Sequence, residues 1–313
     1  MELYLLFRRY YQRLMQTLIT GNLGMIGSRL FKKIKAVGID IKNGHNLITT
    51  ELPKDIDIIY HLAAQSSVES SWQDPVHDMD NLRMTARLVK EYPNAKIIYT
   101  ASAATPTTSP YGFSKWASAE YIKNFHKNYV ICTLPNVYGE KGGKSVVDIF
   151  KDNDEVVIYG DGKQTRSYVH VDDIVEALIL AKDWDFKEVE LGDGKATTVL
   201  QLAEGKKIKF APARKEARES VLDDTAPPNW SAKINVFDYL KNYFNVSDSL
   251  KIMKNKCEEA NFQHAWEVIE QNFMYPTNPP QYPNPKQRCI NCGIMRELIV
   301  RQNEVKEWVT KNQ

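Results

Sequence analysis

The chain has 313 residues, 43% of them apolar and 26% charged, with a formal net charge of +2. That length buries a sizeable core without disulfides or metal, and the near-zero charge argues against nucleic acid or an anionic membrane surface as partner. Four cysteines in a chain this long make no disulfide framework, so a reducing, cytoplasmic setting is expected, and no apolar run approaches the about 18 residues of a membrane span.

The apolar patch at residues 3–7 is followed, not preceded, by Arg8, Arg9 and Arg13, and no small-residue cleavage site comes next, which makes a poor signal peptide. Residues 1–14 read as an extension before the first strand. Residues 16–20 form a short apolar run ending at a glycine. Residues 25–35 carry helical spacing through Ile26, Leu30, Phe31 and Ile34. Further buried-strand runs lie at 36–41, 57–63 (DIIYHLA), 95–100 (AKIIYT) and 129–134 (YVICTL), with helical segments at 77–92 and 111–128. Apolar runs separated by helices predict a Rossmann-like, doubly wound parallel sheet of the α/β class, covered on both faces.

From Gly139 the pattern loosens. Short strands at 156–159, 188–191 and 207–210 surround one clear helix at 171–181, which predicts a small irregular substrate domain with some segments returning to the sheet. The expected division is 15–140 for the sheet, 141–245 for the substrate region and 246–313 for a helical, proline-containing tail.

Residues 20–27, TGNLGMIG, join the first strand to the first helix. Gly21 permits the tight turn, Gly24 lets backbone approach a pyrophosphate, and Gly27 allows close packing of helix on strand. The helix start offers free N–H groups and a partial positive charge to phosphates. Asp40 ends the second strand run, 19 residues after Gly21. An acid there accepts hydrogen bonds from both hydroxyls of an adenosine ribose and repels a 2′-phosphate, so NAD rather than NADP is expected.

Ser102 follows the fourth strand. Ser109 suits a helix cap and Pro110 its first position, which puts Tyr111 and Lys115 one turn apart on one helical face. A phenol, with a pKa of about 10, is a poor base at neutral pH. A nearby ammonium and a positive nicotinamide ring favour its phenolate. Tyr111 then takes a proton from a substrate hydroxyl while the neighbouring carbon gives hydride to the nicotinamide, Lys115 reaches the nicotinamide ribose, and Ser102 holds the substrate oxygen.

These motifs stand with others. The segments HLAAQ (61–65), Asp74-Pro75 with Asn81, LPNVYG (134–139) and YGDGKQTRSYVHVDD (159–173) resemble those of the extended short-chain dehydrogenase/reductase family, in its NAD-dependent epimerase/dehydratase group. The resemblance covers roughly residues 15–243. It implies Ser102, Tyr111 and Lys115 as the catalytic residues. It implies a cofactor site built from Gly21, Asn22, Leu23, Gly24, Met25, Ile26, Gly27, Asp40, Asn46, Leu62, Ala63 and Ala64, together with Tyr111 and Lys115. Asn136 is implied at the sugar nucleotide, and Arg166 and Arg214 at the diphosphate, where a guanidinium pairs with phosphate oxygens. A homodimer through the 77–92 and 111–128 helices is implied as well.

The chain also departs from the family. Residues 42–55 are abbreviated, and Asn46 stands where an acid meets the adenine. The Ser102–Tyr111 loop is short and lacks VYG, Thr133 replaces a common arginine, and residues 140–160 are abbreviated. Ser102 is followed by Ala103 and Ala104, not by the carboxylate pair that water elimination requires, which argues against a 4,6-dehydratase.

The leading expectation is an epimerase that inverts a sugar carbon, C4 first, on a nucleotide-diphosphate sugar. A related decarboxylase or reductase is the alternative, and an inactive NAD-binding scaffold with a partner-binding tail is the alternative of another class. In the tail, Cys289 and Cys292 make half of a zinc knuckle, which Cys257 and His264 complete only from a separate helical segment. No metal is therefore expected.

Overall fold

The computed structural model describes residues 15–241 apart from 105, 140–143, 215–216 and 223–228. The expected tail, with Cys257, His264, Cys289 and Cys292, lies outside the described residues. Among those described, no helix is long and apolar enough to cross a membrane, and no group of three or more His, Cys, Asp or Glu side chains is placed to hold a metal ion.

The first half runs β1 (Thr17–Thr20), α1 (Met25–Lys33), β2 (Val37–Ile39), β3 (Ile58–His61), α2 (Val68–Gln73), α3 (Pro75–Glu91), β4 (Lys96–Ser102), α4 (Pro110–Phe125) and β5 (Tyr129–Leu134). The second half runs β6 (Asn136–Tyr138), α5 (Val146–Asp152), β7 (Glu155–Tyr159), β8 (Thr165–Arg166), β9 (Tyr168–His170), α6 (Val171–Ala181), β10 (Glu188–Glu190), β11 (Thr197–Thr198), α7 (Val199–Leu202), β12 (Lys207–Ala211) and β13 (Glu219–Ser220).

The main sheet has six strands in the order β2-β1-β3-β4-β5-β10, every neighbouring pair parallel. Each central strand sends alternate side chains to opposite faces. Ile19, Ile58, Tyr60, Ile98, Val130 and Cys132 pack with Leu30 of α1 and with Ile174 and Leu178 of α6. Leu18, Ile59, Ile97, Tyr99 and Ile131 pack with Leu88 of α3 and Ile122 of α4. Burial on both faces is why these strands read as unbroken apolar runs.

The doubly wound parallel sheet expected from the sequence is the one observed. β10, met after the sequence pattern loosens, returns to its far edge beside β5. Between β2 and β3 lies one 3-10 turn, Ile41–Asn43, and no further strand, so β2 is the opposite edge. The short strands of the second half form smaller sheets, β11-β8-β13, β12-β7 and β6-β9, over a third core around Tyr138, Phe150, Ile158 and Tyr168.

Because β1 leads to β2 on one side while β3 lies on its other side, the sheet has a switch point between β1 and β3 at its C-terminal edge. The glycine turn sits there. A Cβ on Gly27 would lie 2.0 Å from the carbonyl oxygen of Gly21, backbone that cannot swing aside. Gly27→Ala should therefore cost about 1–3 kcal/mol of stability through overpacking, seen as a lower urea midpoint at unchanged m-value; an unchanged midpoint would show that the turn relaxes freely.

Candidate active site

The glycine turn is shaped for a close approach. Gly21 has φ +74°, and a Cβ there would meet the backbone nitrogen of Ala63 at 2.8 Å. No side chain caps the start of α1 and its first turn holds no acid, which leaves its N–H groups and positive dipole end suited to an anion. Asp40, buried at the end of β2, accepts the N–H of Leu23 at 2.8 Å through Oδ2 and that of Lys42 at 2.9 Å through Oδ1. The carboxylate thus pins the turn to the sheet edge on the side where it was expected to meet a ribose. Asn22, also buried, lays its amide against Gly38: a Cβ on Gly38 would sit 2.4 Å from it. Asn46 turns its Oδ1 to the N–H of Ile48 at 2.9 Å. The glycine cradle, the open helix start and the acid together fit an adenine dinucleotide.

A polar network crosses the strand ends behind this turn. Thr85 donates to the carbonyl of Asn81 at 2.9 Å, so it must accept from Nε2 of His61 at 3.0 Å. Nδ1 of His61 is then the acceptor for the Thr20 hydroxyl at 2.9 Å, and the Thr20 oxygen receives the N–H groups of Leu62 and Ala63 at 3.2 Å. Asn81 exchanges hydrogen bonds with the backbone of Gln65 and donates to the Ser114 hydroxyl on α4 at 2.9 Å. Ser114 donates in turn to the carbonyl of Tyr111 at 2.9 Å. The glycine turn, the HLAAQ segment and the helix bearing Tyr111 are tied into one frame.

Ser102 is the last residue of β4, two residues further into the strand than the sequence reading placed it. Ser109 caps α4 by accepting the N–H of Gly112, with Pro110 at the first position, as expected. The Ser102 hydroxyl hydrogen-bonds the Tyr111 side chain and accepts the N–H of Ala104 at 3.1 Å. Burial raises the Tyr111 phenol above its ordinary pKa; the Ser102 bond opposes that rise and the Asp78 carboxyl adds to it. Burial pushes the Lys115 ammonium down to about 7. Both members of the pair are thus driven toward neutrality by the same loss of water.

On the substrate side the sequence reading singled out Asn136, Arg166 and Arg214 but not Ser220. Ser220 of β13 donates to the carbonyl of Ala103 at 3.0 Å, beside Ser102. Asn136 donates its backbone N–H to the carbonyl of Ser167 at 3.1 Å and its amide to the same oxygen at 3.5 Å. The Arg166 guanidinium is buried and donates to the carbonyls of Thr165, Arg218 and Ala217. Arg214 lies flat on Tyr159, 3.6 Å from the ring centroid, with Glu69 of α2 at 3.8 Å. Gly38 carried the one sequence signal available for its contact, an isolated glycine inside a strand run.

Fold and site together define an α/β protein with a glycine turn at the switch point of its sheet and a buried tyrosine–lysine pair on α4. The model of the NAD dependent epimerase/dehydratase family matches residues 17–191, and the chain belongs to that family. Its cofactor is NAD. A Methanocaldococcus jannaschii protein provisionally named a UDP-glucose 4-epimerase is 31% identical, the match covering 59% of this chain and 79% of that one. The UDP-glucose 4-epimerase of Mycolicibacterium smegmatis is 32% identical over 53% of this chain and 73% of its own. Among solved structures, a UDP-glucose 4-epimerase from Thermotoga maritima, crystallised with UDP-glucose, superposes with a TM-score of 0.61 at 28% identity, covering 74% of this chain and 99% of that one.

The network fixes His61 as the neutral imidazole, and burial first, then the Lys115 charge, hold its pKa at about 3 against an ordinary 6.5. A folded pKa below the unfolded one means that the unfolded chain binds more protons between the two values. This contribution to stability is whole above about pH 6.5 and is lost progressively as pH falls toward about 3. His61→Asn should lower stability at neutral pH yet flatten its decline over that window in urea melts; parallel pH profiles for the two proteins would contradict this.

Proposed function

We propose that this protein is an NAD-dependent nucleotide-sugar epimerase that inverts C4 of its sugar. The carrying observation is the Ser102–Tyr111 hydrogen bond at the end of β4, with Lys115 one turn along α4 on the switch-point edge of the sheet. The epimerase names of the relatives support the choice of C4 and of a UDP-sugar.

In this reading Gly21–Gly27 and Asp40 hold the pyrophosphate and adenosine ribose, Asn46 lies toward the adenine, and Leu62, Ala63 and Ala64 line the cofactor. Asn136, Arg166 and Arg214 take the sugar nucleotide. The bound NAD supplies a hydride acceptor that returns what it takes. Tyr111 holds and returns the proton of the sugar hydroxyl. Ser102 aligns that oxygen with the phenol, and the positive charge of Lys115 lowers the cost of a phenolate in a dry site. The sheet-bearing residues 15–140 and the substrate region 141–245 divide these tasks. A cytoplasmic location belongs to the same reading, supported by a cysteine content too low for a disulfide framework in a chain of this length.

Incubation with UDP-glucose, UDP-galactose and their N-acetyl forms, followed by NMR of the sugars, should show interconversion of one pair, and denaturation should release NAD. Tyr111→Phe should reduce turnover by about 10²–10⁴-fold while the protein still binds NAD. Released NAD with no sugar converted would overturn the epimerase reading and favour the scaffold.

A homodimer is part of this proposal. Val76 and Met79 on α3 and Phe113 and Trp116 on α4 are exposed apolar side chains on neighbouring helices, and such a patch is what an isologous contact buries. Light scattering after gel filtration should give twice the chain mass for the wild type and a lighter species for Trp116→Glu; a monomeric wild type would refute the dimer.

A further inference from the structure

Lys115 lies in a dry place with no counter-ion among the described residues. Its side chain is 4% exposed, and among the described residues no carboxylate pairs with it; loss of water alone accounts for its lowered pKa. What faces Nζ is an aromatic ring. The Tyr99 centroid lies 4.3 Å from it, within the roughly 6 Å over which a cation is drawn to a ring face. Tyr99 is itself buried in β4, and its hydroxyl donates to the carbonyl oxygen of Lys115 at 3.4 Å and meets the Ser118 hydroxyl. The ring is thereby fixed against α4 at two points. His61 lies next to it, ring centroids 5.3 Å apart, locked neutral by Thr20 and Thr85. The remaining titratable groups nearby are Tyr111 on the same helix and Asp78 on α3, which acts on Tyr111.

We propose that the face of Tyr99 is the seat that keeps the Lys115 ammonium charged and in position, which makes Tyr99 a positioning residue for the Tyr111–Lys115 pair. A carboxylate at that spot would hold the lysine more strongly, but its negative charge would cancel the lysine's field at the Tyr111 oxygen. A ring attracts the cation through its quadrupole and adds no net charge. The positive charge stays available to the phenolate, and the moderate attraction leaves Nζ free to turn to a ribose. The catalytic consequence rests on the function proposed above; the seat itself does not.

The seat is tested without cofactor, on the full chain labelled with 13C at lysine Cε, by following the NMR titration of Lys115, assigned from Lys115→Met. Burial alone takes the midpoint down to about 7, and with the ring in place the wild type is expected above that value. Tyr99→Phe should titrate within a few tenths of a unit of the wild type, and Tyr99→Leu should fall lower by about half to one pH unit. Since Leu in a packed strand can unfold the protein, a series of fluorinated phenylalanines at 99 keeps the shape while draining the ring face, and the midpoint should fall stepwise along it. A flat series, or Phe falling as far as Leu, overturns the seat and assigns Tyr99 to helix anchoring through its hydroxyl. With the seat established, Tyr99→Leu should lower the plateau of the pH–rate profile, because less of the protein then holds an ammonium beside a phenolate. A lowered Lys115 midpoint in a protein that converts no sugar would sink the proposed function and leave the seat standing.

Discussion

Taking water away from Tyr111 and Lys115 strengthens every interaction between them and at the same time makes each less willing to carry charge. A phenol in this site sits above its ordinary pKa and an ammonium below its own. Neither is the form that proton transfer from a sugar hydroxyl requires. In the proposed function the phenolate needs positive potential, which the oxidised nicotinamide of bound NAD would supply, while the ammonium needs a partner that adds no further positive charge.

The rest of the fold keeps that arrangement in register. The sheet aligns the ends of β1, β3 and β4, placing Thr20 beside His61 and His61 beside Tyr99. Side-chain hydrogen bonds then convert strand register into helix position: Thr20 to His61, His61 to Thr85, Asn81 to Ser114, and Ser114 to the carbonyl of Tyr111 itself. Every member has one fixed donor direction, because each chain ends on a backbone carbonyl that can only accept. A protonated imidazole would break this order and would also set a second cation beside Lys115, so the neutrality of His61 serves the frame and the charge pattern together.

Much of this was legible before any coordinates. The apolar runs, the Ser109–Pro110 helix start and the glycine spacing are local signals, and the structure places each where the sequence put it. What stayed hidden is long-range. Tyr99 reads as one more aromatic in a buried strand, and only the packing of α4 on β4 reveals Lys115 above its face. Ser220 lies 118 residues from Ser102 in sequence, yet its hydroxyl reaches the carbonyl next to it. Arg166 was expected to face a phosphate. Its observed bonds to the carbonyls of Thr165, Ala217 and Arg218 tie it to the segment that runs into β13, a role with no sequence signature.

The abbreviated stretch after β2 bears on how the cofactor is held. With a 3-10 turn in place of a further strand, β2 is an edge, and the end of the adenosine pocket must be fixed by whatever that edge can reach. Asp40 does this by gripping Leu23 and Lys42 at once, while Lys42 reaches back to the carbonyl of Leu23 at 3.2 Å. The acid proposed to meet the adenosine ribose is therefore also the clasp that shapes the glycine turn. Replacing it would therefore loosen the glycine turn whatever it did to the choice of cofactor, because both of its oxygens hold backbone N–H groups there.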